Sequence, residues 1–200
     1  MFFEAGEFYH LYNKGNNKRI IFFNEENYLF FLMKVKTQLC PVSDIIAYCL
    51  MPNHFHFLLQ PTLNGLTSRR TFRGKSMQEL AYRVGIMFSS YSQATNKQNN
   101  TIGSLFQQKT KSKILRETDN SSQLSYFEQC FHYIHQNPLA AGLVNDLAAW
   151  PYSSYPDYVG IRNGTLCKKE IFYSLTGMSQ DDIIKKTIGR FDEQILDKIF

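Results

Sequence analysis

Ser43-Asp44-Ile45-Ile46-Ala47-Tyr48-Cys49-Leu50-Met51, then Pro52-Asn53, then His54-Phe55-His56-Phe57-Leu58-Leu59-Gln60, is the stretch that decides the fold. Two apolar runs rich in β-branched and aromatic residues flank only two punctuating residues. So short a link predicts an antiparallel hairpin. Upstream, residues 8–15 read as a strand that turns at Gly15-Asn16-Asn17. Asn24 caps a helix with Glu25 and Glu26 in its first turn, and Pro41 stops it, which predicts a helix over 25–39. Downstream, residues 62–74 read as a basic loop beside the histidine strand. A long helix fits 77–97, with Met77, Leu80, Ala81, Val84, Met87, Phe88 and Tyr91 near one face. Residues 104–116 alternate lysines as a half-wet strand does. A further helix starts near Ser121 or Ser122 and stops at Asn137-Pro138. The order β-α-β-β-α-β-α implies an α+β fold: a ferredoxin-like antiparallel sheet with helices packed on one face. Two short helices near 168–175 and 179–199 predict a C-terminal helical appendage, giving a domain over 1–158 and an appendage over 159–200.

The 200 residues are 44% hydrophobic, which excludes wholesale disorder. No apolar run is long enough to span a bilayer. The acidic, broken stretch Met1–Glu7 does not resemble a secretory signal, so a cytoplasmic protein is expected. Cys40, Cys49, Cys130 and Cys167 form no C-x-x-C pair, which argues for reduced, buried thiols and against a paired-thiolate zinc site. The net charge of +5 is unevenly spread: residues 1–68 are neutral, 69–116 carry +9 with Glu79 their single acid, and 117–200 carry −4. Such a basic middle points to a polyanion, because clustered Lys and Arg release counterions from phosphates.

His54-Phe55-His56 is the sharpest local feature. In a strand, i and i+2 share a face, so both imidazoles reach one point while Phe55 faces the core. Two histidines begin a metal site and need a third ligand. Tyr133 and Asn137 stand at i and i+4 on their helix. The Asn137 carbonyl oxygen suits a hard divalent ion. A tyrosine beside such an ion is equipped to attack a phosphodiester. Spacing alone does not single out Tyr133 over Tyr91 or Tyr126.

Four segments in order carry a resemblance. They are Tyr12-Asn13-Lys14-Gly15-Asn16, Leu50-Met51-Pro52-Asn53-His54-Phe55-His56, Tyr133-Ile134-His135-Gln136-Asn137-Pro138 with Ala141-Gly142-Leu143-Val144, and Trp150-Pro151-Tyr152-Ser153-Ser154-Tyr155. Over residues 8–158 the chain resembles the single-tyrosine HUH transposases, specifically the REP-associated tyrosine transposase branch. The resemblance implies a ferredoxin-like fold and an endonuclease and strand transferase active in DNA transposition and recombination. It implies cleavage and rejoining of single-stranded or hairpin DNA with a 5′-phosphotyrosine intermediate. Tyr133 would be the nucleophile, and His54, His56 and Asn137 the ligands of Mg2+ or Mn2+. Relatives usually carry an arginine where this chain has Lys109, which keeps the charge and loses the bidentate fork.

The basic stretch then acquires a task. Arg69, Arg70, Arg73 and Lys75, with Lys109, Lys111, Lys113 and Arg116, would track a DNA backbone. His135 and Gln136 are candidates for further DNA contacts, and Tyr91 and Phe106 are expected to pack rather than stack on bases. The expected partner is palindromic-repeat DNA, bound by a monomer or homodimer. The alternatives are a domesticated, non-catalytic nucleic-acid-binding module, an HUH replication initiator or relaxase, and a metal-dependent hydrolase with Tyr133 structural.

Overall fold

The computed structural model describes residues 1–70, 74–116 and 123–188. In chain order the elements are β1 (Tyr9–Lys14), α1 (Glu25–Lys34), β2 (Ser43–Met51), β3 (His54–Pro61), α2 (Leu63–Leu66), β4 (Ser68–Arg70) and β5 (Ser76–Gln78). Then come α3 (Glu79–Gln98), β6 (Lys111–Ile114), α4 (Gln123–Ala140), α5 (Tyr155–Tyr158), α6 (Lys169–Thr176) and α7 (Gln180–Ile188). Four strands form an antiparallel sheet in the order β2-β3-β1-β6, with β2 and β3 as the expected hairpin. The element order and this strand order together are the ferredoxin-like arrangement, but the helices cover both faces rather than the one expected, because α4 packs opposite α1 and α3.

α1 begins as its sequence dictates: the Asn24 side chain accepts the Asn27 N–H at 3.0 Å, and Glu25 and Glu26 occupy the first turn. The helix runs on as a wider turn through Val35–Leu39. α1 and α3 share one face of the sheet, where Phe31 meets Phe55 with ring centroids 5.2 Å apart and Phe55 meets Phe88 at 5.4 Å. Tyr91 and Phe106 are buried in this layer, as packing residues should be.

A third helix, α4, covers the opposite face, and Tyr133 stands edge-on over His56 at 5.5 Å. β3 is therefore roofed on both sides. This explains why almost all its side chains are buried instead of alternating wet and dry. The outer edge of β2 is closed by the Trp150–Ser154 segment. Leu50 N donates to Tyr152 O at 2.9 Å, Trp150 Nε1 to Leu50 O at 3.0 Å, and Ser154 N to Tyr48 O at 3.0 Å. Covering an exposed sheet edge in this way blocks pairing with other chains. Beyond residue 158, Phe172 on α6 stacks on Phe131 of α4 at 3.8 Å, and His132 hydrogen-bonds Thr187 of α7 at 2.7 Å. All four cysteines are free thiols.

Several expectations are corrected. Residues 62–70 and 74–78 are not a plain loop but α2 and the paired strands β4 and β5, with Met77 in β5 rather than on the long helix. The strand expected over 104–116 is regular only in β6. Ahead of it, Phe106 makes an isolated bridge to Gly15. α4 continues through Pro138 to Ala140. Its expected start at Ser121 or Ser122 lies outside the described residues, as does the part of the helix expected over 179–199 that falls beyond residue 188. Gly15 is required where it stands, because a Cβ there would meet the Arg19 carbonyl oxygen at 2.0 Å.

Candidate active site

The register of the sheet builds the site. Lys14 lies opposite His54 and Tyr12 opposite His56, so the period-two pattern puts His10, Tyr12 and Lys14 of β1 on the same face as the two histidines. His54 Nδ1 lies 2.6 Å from Asn53 Oδ1. A carbonyl oxygen only accepts, so Nδ1 carries the proton and the lone pair resides on Nε2. His56 Nδ1 lies 2.9 Å from His10 Nε2. Burial holds both imidazoles below their ordinary pKa. For His54, Lys14 adds to burial, while Asn137 Oδ1, which could accept a proton on Nε2 only in the charged ring, opposes it; for His56, the neighbouring His10 and His54 add to burial. Both rings are therefore neutral near pH 7, the form that ligates a metal.

α4 supplies the other half. Pro138 has no N–H, so the Ile134 carbonyl loses its helical partner. Asn137 Nδ2 takes up that carbonyl at 3.4 Å and also donates to Tyr133 O at 2.9 Å. This explains why the helix does not end at the proline. It also aims Asn137 Oδ1 at the sheet, where it accepts the Tyr133 hydroxyl at 3.2 Å and faces His54 Nε2 at 3.5 Å. With the His54 proton on Nδ1, two lone-pair atoms oppose each other there. Two ligands about 2.1 Å from one hard ion and at a right angle to each other are roughly 3.0 Å apart. The separation and the donor set, two imidazoles and an amide oxygen, fit a divalent cation. Among the described residues, no three His, Cys, Asp or Glu side chains form a metal-holding group by themselves. Burial pushes the Tyr133 phenol above its ordinary pKa, and the Asn137 hydrogen bond opposes that shift.

His54, His56, Tyr12 and Tyr133 line a cleft of about 490 Å³, together with Lys14, Lys109 and Lys111. Asn13 ties the lysine segment in place: its Nδ2 donates to Gln107 O at 3.1 Å and to Thr110 Oγ1 at 2.9 Å. The remaining basic residues lie elsewhere. Lys113 is half-buried on β6 opposite His10. Arg116 pairs with Glu4 and Glu7. Arg69 pairs with Glu79 at 3.1 Å and lies over the Tyr82 ring at 4.1 Å. Arg70 and Lys75 belong to the β4–β5 hairpin, which follows the far end of β3, about 23 Å along the strand from His54. The segment thus follows the histidine strand, as expected, but at the end away from the histidines. Arg73 lies outside the described residues. His135 and Gln136, candidates for DNA contact, turn inward: His135 is fully buried against Ser154 Oγ at 2.7 Å, and Gln136 donates to Thr187 O.

Solved structures share this fold, among them that of a REP-associated tyrosine transposase bound to a REP hairpin. It matches with a TM-score of 0.57 and 15% identity, over 84% of this chain and 94% of that one. At that identity the likeness speaks for the fold alone. No protein-family model matches the chain, and no curated protein does. No described helix is long and apolar enough to cross a membrane.

His10 stands outside the four segments that carry the resemblance, and Tyr12, Asn13, Lys14 and Asn53 stand within them without an expected role at the site. The period-two run His10, Tyr12, Lys14 was the available signal, since it predicts one shared face on β1.

Proposed function

We propose that this chain cleaves and rejoins single-stranded or hairpin DNA through a 5′-phosphotyrosine intermediate, as a transposase-type strand transferase. Tyr133 is the nucleophile, and His54, His56 and Asn137 hold Mg2+ or Mn2+. The observation that carries the reading is the opposed pair of acceptors, His54 Nε2 and Asn137 Oδ1 at 3.5 Å, with the Tyr133 hydroxyl bonded to one of them inside a lysine-lined cleft.

Asn137 fixes the phenol by accepting its hydrogen bond, and the roof of α4 keeps bulk water from its ring. Lys14, Lys109 and Lys111 attract the DNA backbone to the cleft mouth. Tyr133 Oη bonds to phosphorus and the P–O3′ bond breaks. The phenol loses a proton and the departing 3′-oxygen gains one, so charge balances. The ester bond is conserved in the phosphotyrosine, and a 3′-hydroxyl attacking it reverses the step without any nucleotide cofactor. When bound, a divalent ion supplies positive charge that favours phenolate over phenol and offsets the charge of the phosphate.

The test uses 3′-labelled hairpin-bearing single strands with Mn2+, resolved on a denaturing gel. The expected result is a labelled protein–DNA adduct that Tyr133→Phe cannot form. Binding without cleavage would indicate a non-catalytic DNA-binding module. A free 5′-phosphate would indicate a hydrolase that uses water, with Tyr133 structural.

A further inference from the structure

His10 is fully buried, yet it is neither a candidate metal ligand nor a cleft-lining residue. It sits on β1 diagonally across from His56, since its register partner is Leu58. At such diagonal positions long or aromatic side chains still meet. Nε2 of His10 and Nδ1 of His56 are 2.9 Å apart, with ring centroids 5.0 Å apart and ring planes inclined by 24°. That separation is that of an imidazole–imidazole hydrogen bond, in which one ring donates an N–H to the bare nitrogen of the other. Tyr12 stacks on His10 with centroids 4.6 Å apart and planes at 28°, and Tyr133 abuts it edge-on at 6.3 Å. The His10 ring is thereby held from β1 and from α4 at once.

A neutral imidazole has one N–H. If His10 donates to His56 Nδ1, the proton of His56 sits on Nε2, and that nitrogen has no lone pair to offer an ion. If His56 donates from Nδ1 to His10, its Nε2 is a bare donor atom, as the Asn53 contact already makes His54 Nε2. We infer that His10 is a positioning residue for the metal site: it accepts the Nδ1–H of His56, fixing the tautomer and the plane in which Nε2 serves as ligand. The inference rests on the metal reading above and assigns His10 a role within it. Partners of this kind are worth roughly 10–100-fold in metal affinity. His54 and His56 thus share one device with different acceptors, an amide oxygen from the β2–β3 turn for one and an imidazole from the neighbouring strand for the other.

Two variants separate this role from plain packing. His10→Phe keeps a ring against Tyr12 and removes the acceptor; His10→Gln keeps an acceptor, Oε1, at the reach of Nε2. Mn2+ affinity is read from the loss of the free-ion electron-spin signal on titration with protein, with no DNA present. The expected result is roughly 10–100-fold weaker binding for His10→Phe and a large recovery for His10→Gln. Long-range 1H–15N correlation on the metal-free wild type reads the tautomer directly. His56 is expected to show a protonated Nδ1 and a bare Nε2, a readout that stands even if His10→Phe does not fold. A protonated Nε2 on His56, or an unchanged Mn2+ affinity in His10→Phe beside a binding wild type, would overturn the inference alone. A wild type that binds no Mn2+ would overturn the metal reading and this inference with it.

Discussion

Asn137 bonds the carbonyl that Pro138 leaves open, so the two residues should be energetically coupled. Ile134 and Asn137 are both buried. Replacing Asn137 with Ala strands the Ile134 carbonyl without a donor, which costs about 1–3 kcal/mol. Tyr133 O loses less, because the Asn137 backbone N–H already serves it within the helix. In a Pro138→Ala background, residue 138 regains its N–H and can bond Ile134 O itself. Asn137→Ala then forfeits only a redundant hydrogen bond, worth about 0.5–1.5 kcal/mol. The double-mutant cycle should therefore show a coupling of roughly 1 kcal/mol, with Asn137→Ala milder when Pro138 is absent. Urea unfolding of the four proteins at fixed pH measures it, with equal slopes as the check that compactness is unchanged. The double variant should be folded and form no DNA adduct, since Asn137 Oδ1 is gone. Additive effects, within about 0.3–0.5 kcal/mol, would refute the account of why α4 passes through its proline.

The other expectations are simpler. Tyr133→Phe loses one hydrogen bond to Asn137 Oδ1, so unfolding should show a cost of about 0.5–1.5 kcal/mol while adduct formation disappears entirely. Gln at Lys14, Lys109 or Lys111 should reduce the salt slope of single-strand binding by about 0.7 each, measured by fluorescence anisotropy across salt concentrations. Gln at Arg70 should leave that slope unchanged for a strand too short to span the roughly 20 Å from the cleft to the hairpin. The Glu79 carboxyl is held below its ordinary pKa by hydrogen bonds from Arg83 and Arg69, against the opposing effect of burial. A depressed carboxyl stabilises the fold above its ordinary value of 4.5 and loses that contribution as pH falls through the lower folded-state value. Glu79→Gln should therefore flatten the acid limb of thermal stability below about pH 4.5 relative to wild type, and an unchanged limb would show that the pair contributes nothing.

The sheet was legible because its signals are local. The two-residue link at Pro52-Asn53 leaves the chain no option but a hairpin, and Asn24 followed by two acids marks a helix start by chemistry alone. The β4–β5 hairpin was hidden because Gly, Ser, Thr and Arg look alike in a loop and in an exposed two-stranded ribbon. All of β4 is exposed, so no apolar alternation betrays it. The short β6 was overextended for the opposite reason. Lys109 and Lys111 keep a period of two across the point where the chain leaves the sheet, and periodicity of charge records wetness, not pairing.

The site divides along the same line. Its ligand residues were legible as types and spacings: a strand puts His54 and His56 together, and a helix puts Tyr133 over Asn137. That these two pairs meet was not legible, because it depends on α4 roofing the face of the sheet opposite α1 and α3. No sequence period reports which face a helix will cover. The burial of β3 on both sides supplies the missing clue in retrospect. Phe57-Leu58-Leu59 is a continuous apolar run rather than an alternation, and a continuous run belongs to a strand covered twice. Once both faces must be dry, the buried His56 and the half-buried His54 need partners on the covered side. The polar groups that answer, Asn137 from the roof, His10 from the next strand and Asn53 from the turn, are then a requirement of burial before they are a device for chemistry.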